Sequence, residues 1–323
     1  MNTKCSHPTT QSETTTLVGT DWFVLAAPMH PTQPHRLGLR PATLTGRAAH
    51  AVGMDTTNDL TRISVAVGDT TVAIAGDWHS NVGWIQTAVP FLRRAGVRTI
   101  YHVGDLGFWG EPKGTMLRAS LEYWLAAADI NLFCTPGNHE NWAALDELFA
   151  EDPGRPIRLE PHLWMLPRGY RWEHAGRSFV SLGGAPSVDV HYRTPMKTWW
   201  PTEIITEDDV DRVVGGGHAE IMITHDAPMT GTEAVRRIRE DAAFPYGDEM
   251  REYARSGEGR LERAFAGVRP DLLLHGHFHV QDSVTLPTGQ RVVSLDCENS
   301  AGNLALLDLK TLAVTLPGNP RRR

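Results

Sequence analysis

The chain has 323 residues, 41% of them hydrophobic and 21% charged, and it contains no apolar run near the roughly 18 residues needed to cross a membrane. Asp and Glu outnumber Lys and Arg by 38 to 31, and the net charge of −7 argues against the broad basic surface that long duplex nucleic acid requires. The three cysteines are too few and too scattered for a disulfide scaffold or a thiolate zinc site. These features predict a cytoplasmic protein with no membrane partner.

The N-terminal part of the chain differs in composition from the rest. Its first 53 residues contain ten Thr, five Pro and two acidic residues, and they offer too little apolar surface to offset the entropy of ordering. We therefore expect residues 1–60 to form a disordered or dispensable tail. A signal peptide is one alternative, but its apolar stretch at 22–27 is short for that purpose. A second hypothesis places the biological start at Met54.

Alternating strands and helices begin near residue 71. Apolar runs that end in glycine or proline predict strands, and helical periodicity predicts the segments between them. The predicted order is strand 71–75, helix 82–95, strand 98–103, helix 116–128 and strand 131–135. This order predicts a parallel sheet whose ligands bind beyond the carboxyl ends of its strands.

Beyond residue 160 short strands predominate, which predicts a mixed sheet. The predicted elements are strands 164–166, 170–174 and 178–182, helix 207–214, and strands 220–224, 272–274, 280–286, 291–295 and 304–309. Thr288-Gly289 is typical of a hairpin turn. Residues 229–262 are charged and helix-prone, and we expect them to form a lid.

Residue types that can bind metals or move protons follow five of these strands. Glycine next to several of them lets the backbone turn sharply and approach an ion closely. Because parallel pairing places neighbouring strand ends side by side, we expect these side chains to converge on one cleft. The segments are Gly76-Asp77-Trp78-His79, Gly104-Asp105, Gly137-Asn138-His139-Glu140, Thr224-His225-Asp226 and Gly276-His277-Phe278-His279.

This series of segments resembles the motifs of the calcineurin-like metallophosphoesterases, which are D-x-H, G-D, G-N-H-[DE], a single H and G-H-x-H. All of them occur in that order over residues 76–279. The resemblance implies an α/β fold, a β-sandwich of two mixed sheets flanked by helices, with a two-metal centre at one edge. We expect the metallophosphoesterase domain to span residues 61–318 and to be followed by a basic C-terminal tail at 319–323.

Carried over position by position, the resemblance implies seven metal ligands and one general acid. One divalent ion would be held by Asp77, His79 and His279, the other by Asn138, His225 and His277, and Asp105 would bridge them. Such donors suit manganese, which we expect, or iron, zinc or nickel. The implied reaction is attack of a metal-activated hydroxide on phosphorus, with His139 protonating the leaving group.

One motif departs from the pattern of the phosphoprotein phosphatases in this superfamily. They carry G-D-x-x-D-R-G, in which the second acid orients the catalytic histidine and the arginine grips phosphate. This chain instead has Gly104-Asp105-Leu106-Gly107-Phe108-Trp109-Gly110, which disfavours protein phosphatase activity of that type. The residue that orients His139 is left open between Glu140 and a residue outside the motifs.

A long loop at 183–203 is the candidate substrate-binding segment. Its run G-G-A-x-S-x-D, R, W-W-P-x-E is similar to one in bacterial and phage members of the superfamily. Arg193 and, less strongly, His191 are candidate contacts to the substrate phosphate, and Trp199 or Trp200 could stack on a substrate ring. The alternative is a solvent loop whose tryptophans cover a sheet edge. Trp78 is expected to form a wall of the pocket.

The sequence thus predicts a dinuclear metal-dependent hydrolase of phosphate esters that acts on a small phosphorylated substrate or a nucleotide. The alternative is a phosphodiesterase or nuclease acting on nucleotides or short nucleic acids. A noncatalytic binding protein on this scaffold is disfavoured, because all seven ligand positions and His139 are present. The sequence makes no prediction of the oligomeric state.

Overall fold

The computed structural model describes residues 69–110, 112–240 and 248–321. The predicted N-terminal tail, the alternative start at Met54 and the last two residues of the basic tail lie outside the described residues. None of the helices within the described ranges combines the length and the apolar character needed to cross a membrane.

The described ranges contain two kinds of regular element, whose bounds follow in chain order. The strands are β1 (Thr71–Ala75), β2 (Thr99–His102), β3 (Asn131–Cys134), β4 (Ile157–Glu160), β5 (Leu163–Met165), β6 (Arg171–His174), β7 (Arg177–Leu182), β8 (Ile221–Thr224), β9 (Leu272–His275), β10 (Asp282–Thr285), β11 (Arg291–Ser294), β12 (Leu304–Asp308) and β13 (Val314–Thr315). The helices are α1 (Val82–Arg94), α2 (Lys113–Ala128), α3 (Trp142–Glu151), α4 (Glu207–Gly215), α5 (Glu233–Glu240), α6 (Asp248–Arg255) and α7 (Glu258–Val268). Every strand and helix predicted between residues 71 and 309 is present, with ends that differ by three residues or fewer.

The strands form two mixed sheets. The first has seven strands in the order β13-β12-β1-β2-β3-β5-β4, and its central strands β1, β2, β3 and β5 are parallel. The second has six strands in the order β10-β11-β9-β8-β7-β6, with β11, β9, β8 and β7 parallel. Antiparallel strands close both edges of each sheet. The motif residues follow the carboxyl ends of β1, β2 and β3 in the first sheet and of β8 and β9 in the second.

Apolar side chains on alternating faces of the strands join the two sheets and their helices. Ile221 and Ile223 of β8 pack in the cluster that also contains Ile74 and Phe133 of the first sheet, whereas Met222 points to the opposite side. That opposite side is covered by apolar residues of α4 and α7, and the outer face of the first sheet is covered by α1, α2 and α3. This arrangement confirms the predicted β-sandwich of two mixed sheets flanked by helices.

Two features of the fold differ from the sequence-based expectation. The elements α3, β4 and β13 were not predicted, although Asn141 caps the start of α3 by accepting a hydrogen bond from the backbone N–H of Ala144 at 3.2 Å. The expectation that residues 229–262 form a lid is wrong for its C-terminal part. Leu261 of α7 is buried in the core beside the second sheet, so this helix is a fixed structural layer.

Asn303 connects the first motif to the C-terminal part of the chain. This fully buried side chain accepts hydrogen bonds from the indole N–H groups of Trp78 at 2.9 Å and Trp84 at 2.7 Å. Its amide nitrogen donates to the backbone carbonyls of Asp77 at 3.1 Å and Asp296 at 2.9 Å. Trp78 is itself fully buried in the core, so the expectation that it forms a wall of the pocket is wrong.

We predict that Asn303→Ala lowers the free energy of unfolding by about 2 to 4 kcal/mol, because two buried indole donors lose their acceptor. Denaturant unfolding followed by tryptophan fluorescence measures this change. Asn131→Ala, at an exposed position, is the matched control and should change the free energy by less than about 0.5 kcal/mol. Equal effects of the two substitutions would contradict the proposed role of Asn303.

Candidate metal centre

The motif residues meet where the carboxyl ends of strands from both sheets approach each other. The first sheet contributes residues that follow β1, β2 and β3, and the second contributes residues that follow β8 and β9. These residues form two groups that share Asp105. The convergence predicted from the strand ends is therefore present in the structure.

The first group consists of Asp77, His79, Asp105 and His279, whose candidate ligand atoms all lie within 4.8 Å of one another. Nε2 of His279 is 3.1 Å from Oδ2 of Asp77, and Nε2 of His79 is 3.6 Å from Oδ2 of Asp105. Two carboxylates and two imidazoles at this spacing could hold one divalent ion.

The second group consists of Asp105, His225 and His277, again with candidate ligand atoms within 4.8 Å of one another. Nε2 of His225 lies 3.2 Å from Oδ1 of Asp105 and 3.0 Å from Oδ1 of Asn138. The two oxygens of Asp105 thus face different groups. All seven residues predicted as metal ligands lie in or beside these two groups.

Both carboxylates in these groups are buried, and within the described part of the chain their ion-pair partners are histidines rather than Lys or Arg. Burial alone would raise the pKa of Asp105, but the neighbouring imidazoles of His225 and His139 hold it well below its usual value. Burial opposes protonation of His225, yet the carboxylate of Asp105 raises its pKa to about 10. The cleft therefore attracts positive charge, which divalent cations would supply, and its hard and borderline donors fit such ions.

The loops that carry these ligands adopt unusual backbone conformations. Asp105 has φ 53°, His79 φ 41° and His277 φ 70°, all in the left-handed region that non-glycine residues rarely occupy. Gly276 is required beside them, because a side chain there would overlap Oδ1 of Asp77. Strained residues next to a close backbone approach are typical of functional sites.

Glu140 fixes the relative position of two ligand loops. It is fully buried and accepts hydrogen bonds from the backbone N–H groups of Asp105 at 3.2 Å, Gly107 at 2.8 Å and Gly137. These contacts tie the loop after β2 to the loop after β3. Of the two possibilities left open by the sequence, Glu140 therefore positions the loops and does not contact the ring of His139.

The ring of His139 contacts a residue outside the motifs. Arg193 donates from Nη2 to Nε2 of His139 at 2.7 Å, while the backbone N–H of His139 donates to Oδ1 of Asp105 at 2.7 Å. The ring also lies edge-on to that of Trp109, with centroids 6.1 Å apart. Burial lowers the pKa of His139 to about 4. The negative charge of Asp105 raises this pKa, whereas the positive charge of Arg193 lowers it further. Protonation of this imidazole is favoured when negative charge approaches it.

Arg193 is held in place from the side away from His139. Its Nε donates to Oδ1 of Asp189 at 2.6 Å, and its Nη1 donates to the backbone carbonyl of Thr198 at 3.2 Å. Only 7% of its side chain is exposed. The structure therefore brings this predicted substrate contact to the edge of the metal centre, with its guanidinium directed at His139.

The other predicted substrate contacts, His191, Trp199 and Trp200, have other partners or are buried. His191 is half-exposed, and its Nε2 is 3.8 Å from a carboxylate oxygen of Glu249. Trp199 donates from its indole to Oε1 of Glu203 at 3.0 Å, and its ring lies edge-on to that of Tyr253. Trp200 is buried in the core, so it cannot stack on a substrate ring.

Sequence reasoning missed several polar residues that contact the predicted ligands. Ser187 accepts from Nδ2 of Asn138 at 3.1 Å and donates to Oε2 of Glu203 at 2.8 Å. Ser187 and Glu203 belong to the G-G-A-x-S-x-D and W-W-P-x-E run, so this run could have identified them as candidate site residues. Glu298 accepts a hydrogen bond from Nδ1 of His79 at 2.9 Å, and it stands in no motif that could have identified it.

The family model described as calcineurin-like phosphoesterase matches residues 70–281. The search of curated proteins finds no significant match.

Several solved structures are similar to this chain. The protein TT1561 of Thermus thermophilus is 17% identical, with 78% of this chain and 99% of that chain covered and a TM-score of 0.49. A dimetal phosphatase from Danio rerio is 12% identical, with 75% and 93% covered and a TM-score of 0.46. The phosphopantetheinyl hydrolase from Mycobacterium tuberculosis is 13% identical, with 77% and 97% covered and a TM-score of 0.43.

These TM-scores are below 0.5, so the assignment rests on the family model, which matches well over half of the chain. That match includes every motif residue gathered at the edge of the sandwich. The chain belongs to the calcineurin-like phosphoesterases, a family of dinuclear metal-dependent enzymes that hydrolyse phosphoric esters.

Proposed function

We propose that this protein hydrolyses phosphate esters of a small phosphorylated substrate or a nucleotide with two divalent metal ions, of which manganese is the expected one. The observation that carries this proposal is the single carboxylate of Asp105, whose two oxygens face two separate groups of ligands. The proposed ligands are Asp77, His79, Asp105 and His279 for one ion and Asp105, Asn138, His225 and His277 for the other. The cytoplasmic location and the domain limits of 61–318 stay predictions from the sequence.

The bound metal ions would supply the chemistry that side chains alone lack. Bound at this site, two divalent ions would polarise phosphoryl oxygens and lower the pKa of a water toward about 7. The donors described here include no thiolate, which agrees with manganese, iron, zinc or nickel rather than a softer ion.

The remaining steps belong to this chain's own residues. Arg193 is a preorganised cation that would bind a nonbridging phosphate oxygen, because Asp189 and Thr198 already hold its guanidinium at the site. Because Arg193 donates to Nε2 of His139, this nitrogen could protonate the leaving-group oxygen only after the guanidinium has turned to the substrate phosphate and the ring has taken up a proton. The leaving group would then depart as an alcohol or phenol. The 2.7 Å contact between Arg193 and Nε2 of His139 supports the proposal that both residues act on the same phosphate ester.

Hydrolysis of two model substrates tests this function. The full chain loaded with Mn²⁺ is assayed with p-nitrophenyl phosphate, a monoester, and bis-p-nitrophenyl phosphate, a diester. We expect release of p-nitrophenol that a chelator abolishes. Turnover of the diester alone would favour the phosphodiesterase alternative, and turnover of the monoester alone a phosphatase. No turnover with manganese, iron, zinc or nickel would contradict the proposal and favour a noncatalytic binding protein.

The proposed roles of His139 and Asp105 predict opposite outcomes for two substitutions. His139→Ala should retain bound metal but lower kcat about 100- to 10,000-fold, because the leaving group no longer receives a proton. Asp105→Asn should lower the metal content itself, because the residue contributes to both groups. Elemental analysis and steady-state kinetics measure the two effects. Equal loss of metal in both variants would show that His139 is a ligand and that the assignment is wrong.

Arg193→Ala should lower kcat/KM roughly 10- to 100-fold, because a charge-assisted hydrogen bond to the substrate is lost. Arg193→Lys should retain part of the activity, since it keeps the charge without the planar fork. Arg236→Ala, which removes an exposed arginine paired with Glu233 and Glu240 on α5, is the control and should leave kcat/KM unchanged. If Arg193→Ala behaves like the control on the better substrate, Arg193 does not bind the phosphate.

A further inference from the structure

We propose that Glu298 is a positioning residue for His79 and that it strengthens only one of the two metal positions. This inference rests on the proposed function. It concerns a residue outside the segment at 70–281 that the family model matches.

The two ring nitrogens of His79 face different partners. Nδ1 lies 2.9 Å from Oε2 of Glu298, and Nε2 lies 3.6 Å from Oδ2 of Asp105, within the first ligand group. An ionised carboxylate can only accept a hydrogen bond, so Nδ1 must carry the hydrogen. The lone pair of the neutral ring is then on Nε2, which faces the metal position.

The backbone of Glu298 is hydrogen-bonded to the loop that carries His79. Its backbone N–H donates to the carbonyl of Asp77 at 2.8 Å, and Asn303 donates to the same carbonyl at 3.1 Å. The Glu298 side chain is 14% exposed and that of His79 is 21% exposed, so water screens the pair only in part. The segment after β11 is thereby fixed to the loop after β1, and the carboxylate is fixed to the imidazole.

The charge of Glu298 acts on one ligand group. Its carboxylate is hydrogen-bonded to His79, which belongs to the first group with Asp77 and Asp105. A carboxylate bonded to a ligand imidazole raises the basicity of that ligand, and losing such a partner typically costs 10- to 100-fold in metal affinity. Loss of Glu298 should therefore weaken one equivalent of metal and leave the other unchanged.

Metal titration of the full chain tests this inference. The protein is stripped of metal and titrated calorimetrically with Mn²⁺, as wild type, Glu298→Ala and Glu298→Gln. We expect wild type to bind two equivalents and Glu298→Ala to bind one of them about 10- to 100-fold more weakly. Glu298→Gln should fall between the two, because its amide oxygen still accepts from Nδ1 without the negative charge. The visible absorption of bound Co²⁺ should change for the same equivalent.

The chain offers a matched control far from the metal centre. Glu122 accepts from Nδ1 of His162 at 2.7 Å, and both side chains are partly exposed, as in the pair of Glu298 and His79. Glu122→Ala and Glu122→Gln therefore remove a similar carboxylate without touching a ligand. Both should bind two equivalents of Mn²⁺ with wild-type affinity.

Three results would overturn the inference. One is wild-type Mn²⁺ binding by both Glu298 variants, and another is equal weakening of both equivalents. The third is the same loss in the Glu122 variants, which would indicate a general effect of destabilisation. In each case wild type still binds two equivalents, so the proposed function survives. Failure of wild type to bind any Mn²⁺ would instead overturn the proposed function together with this inference.

Discussion

The burial of two carboxylates without a fixed cation beside them is the constraint on which this structure depends. An unpaired buried carboxylate costs several kcal/mol, and within the described residues neither Asp77 nor Asp105 pairs with Lys or Arg. Histidines that follow strands of both sheets surround them instead, among them His79 after β1 and His225 after β8. Because these histidines come from different sheets, they can compensate the buried carboxylates only when the apolar layer between the sheets is packed. The fold and the site are therefore mutually dependent.

Bringing so many polar side chains to one point also constrains the backbone. Residues such as Asp105 and His277 adopt a positive φ, which costs of order 1 to 3 kcal/mol for each. Buried polar groups stabilise these conformations from outside the cleft. Glu140 holds the loops after β2 and β3 together, and Asn303 holds the loop after β1 against the C-terminal part of the chain. These hydrogen bonds lie outside the cleft and offset the conformational strain of the ligand loops.

Local signals in the sequence predicted the strands and the convergence of polar residues at their ends, whereas the two-sheet sandwich and the set of seven candidate ligands were implied by the resemblance of the motifs to the family. Apolar runs define the strands, and each ligand follows a strand end within a few residues. Glu298 and Asn303 could not be predicted in this way. They contact residues 219 and 226 positions earlier in the chain, and no periodicity or spacing encodes such a contact. Helix α3 was not predicted, although Asn141 before it is a standard capping residue.

The loop at 183–203 supplies the arginine that the motif after β2 lacks. Where the phosphoprotein phosphatase pattern has an acid and an arginine, this chain has Phe108 and Trp109, and Trp109 packs against the ring of His139. The arginine that reaches this histidine is Arg193, from a different part of the chain. The same loop supplies Ser187, which contacts Asn138. One loop therefore contacts both the proposed general acid and a proposed metal ligand, so a substitution that displaces this loop should affect both residues together.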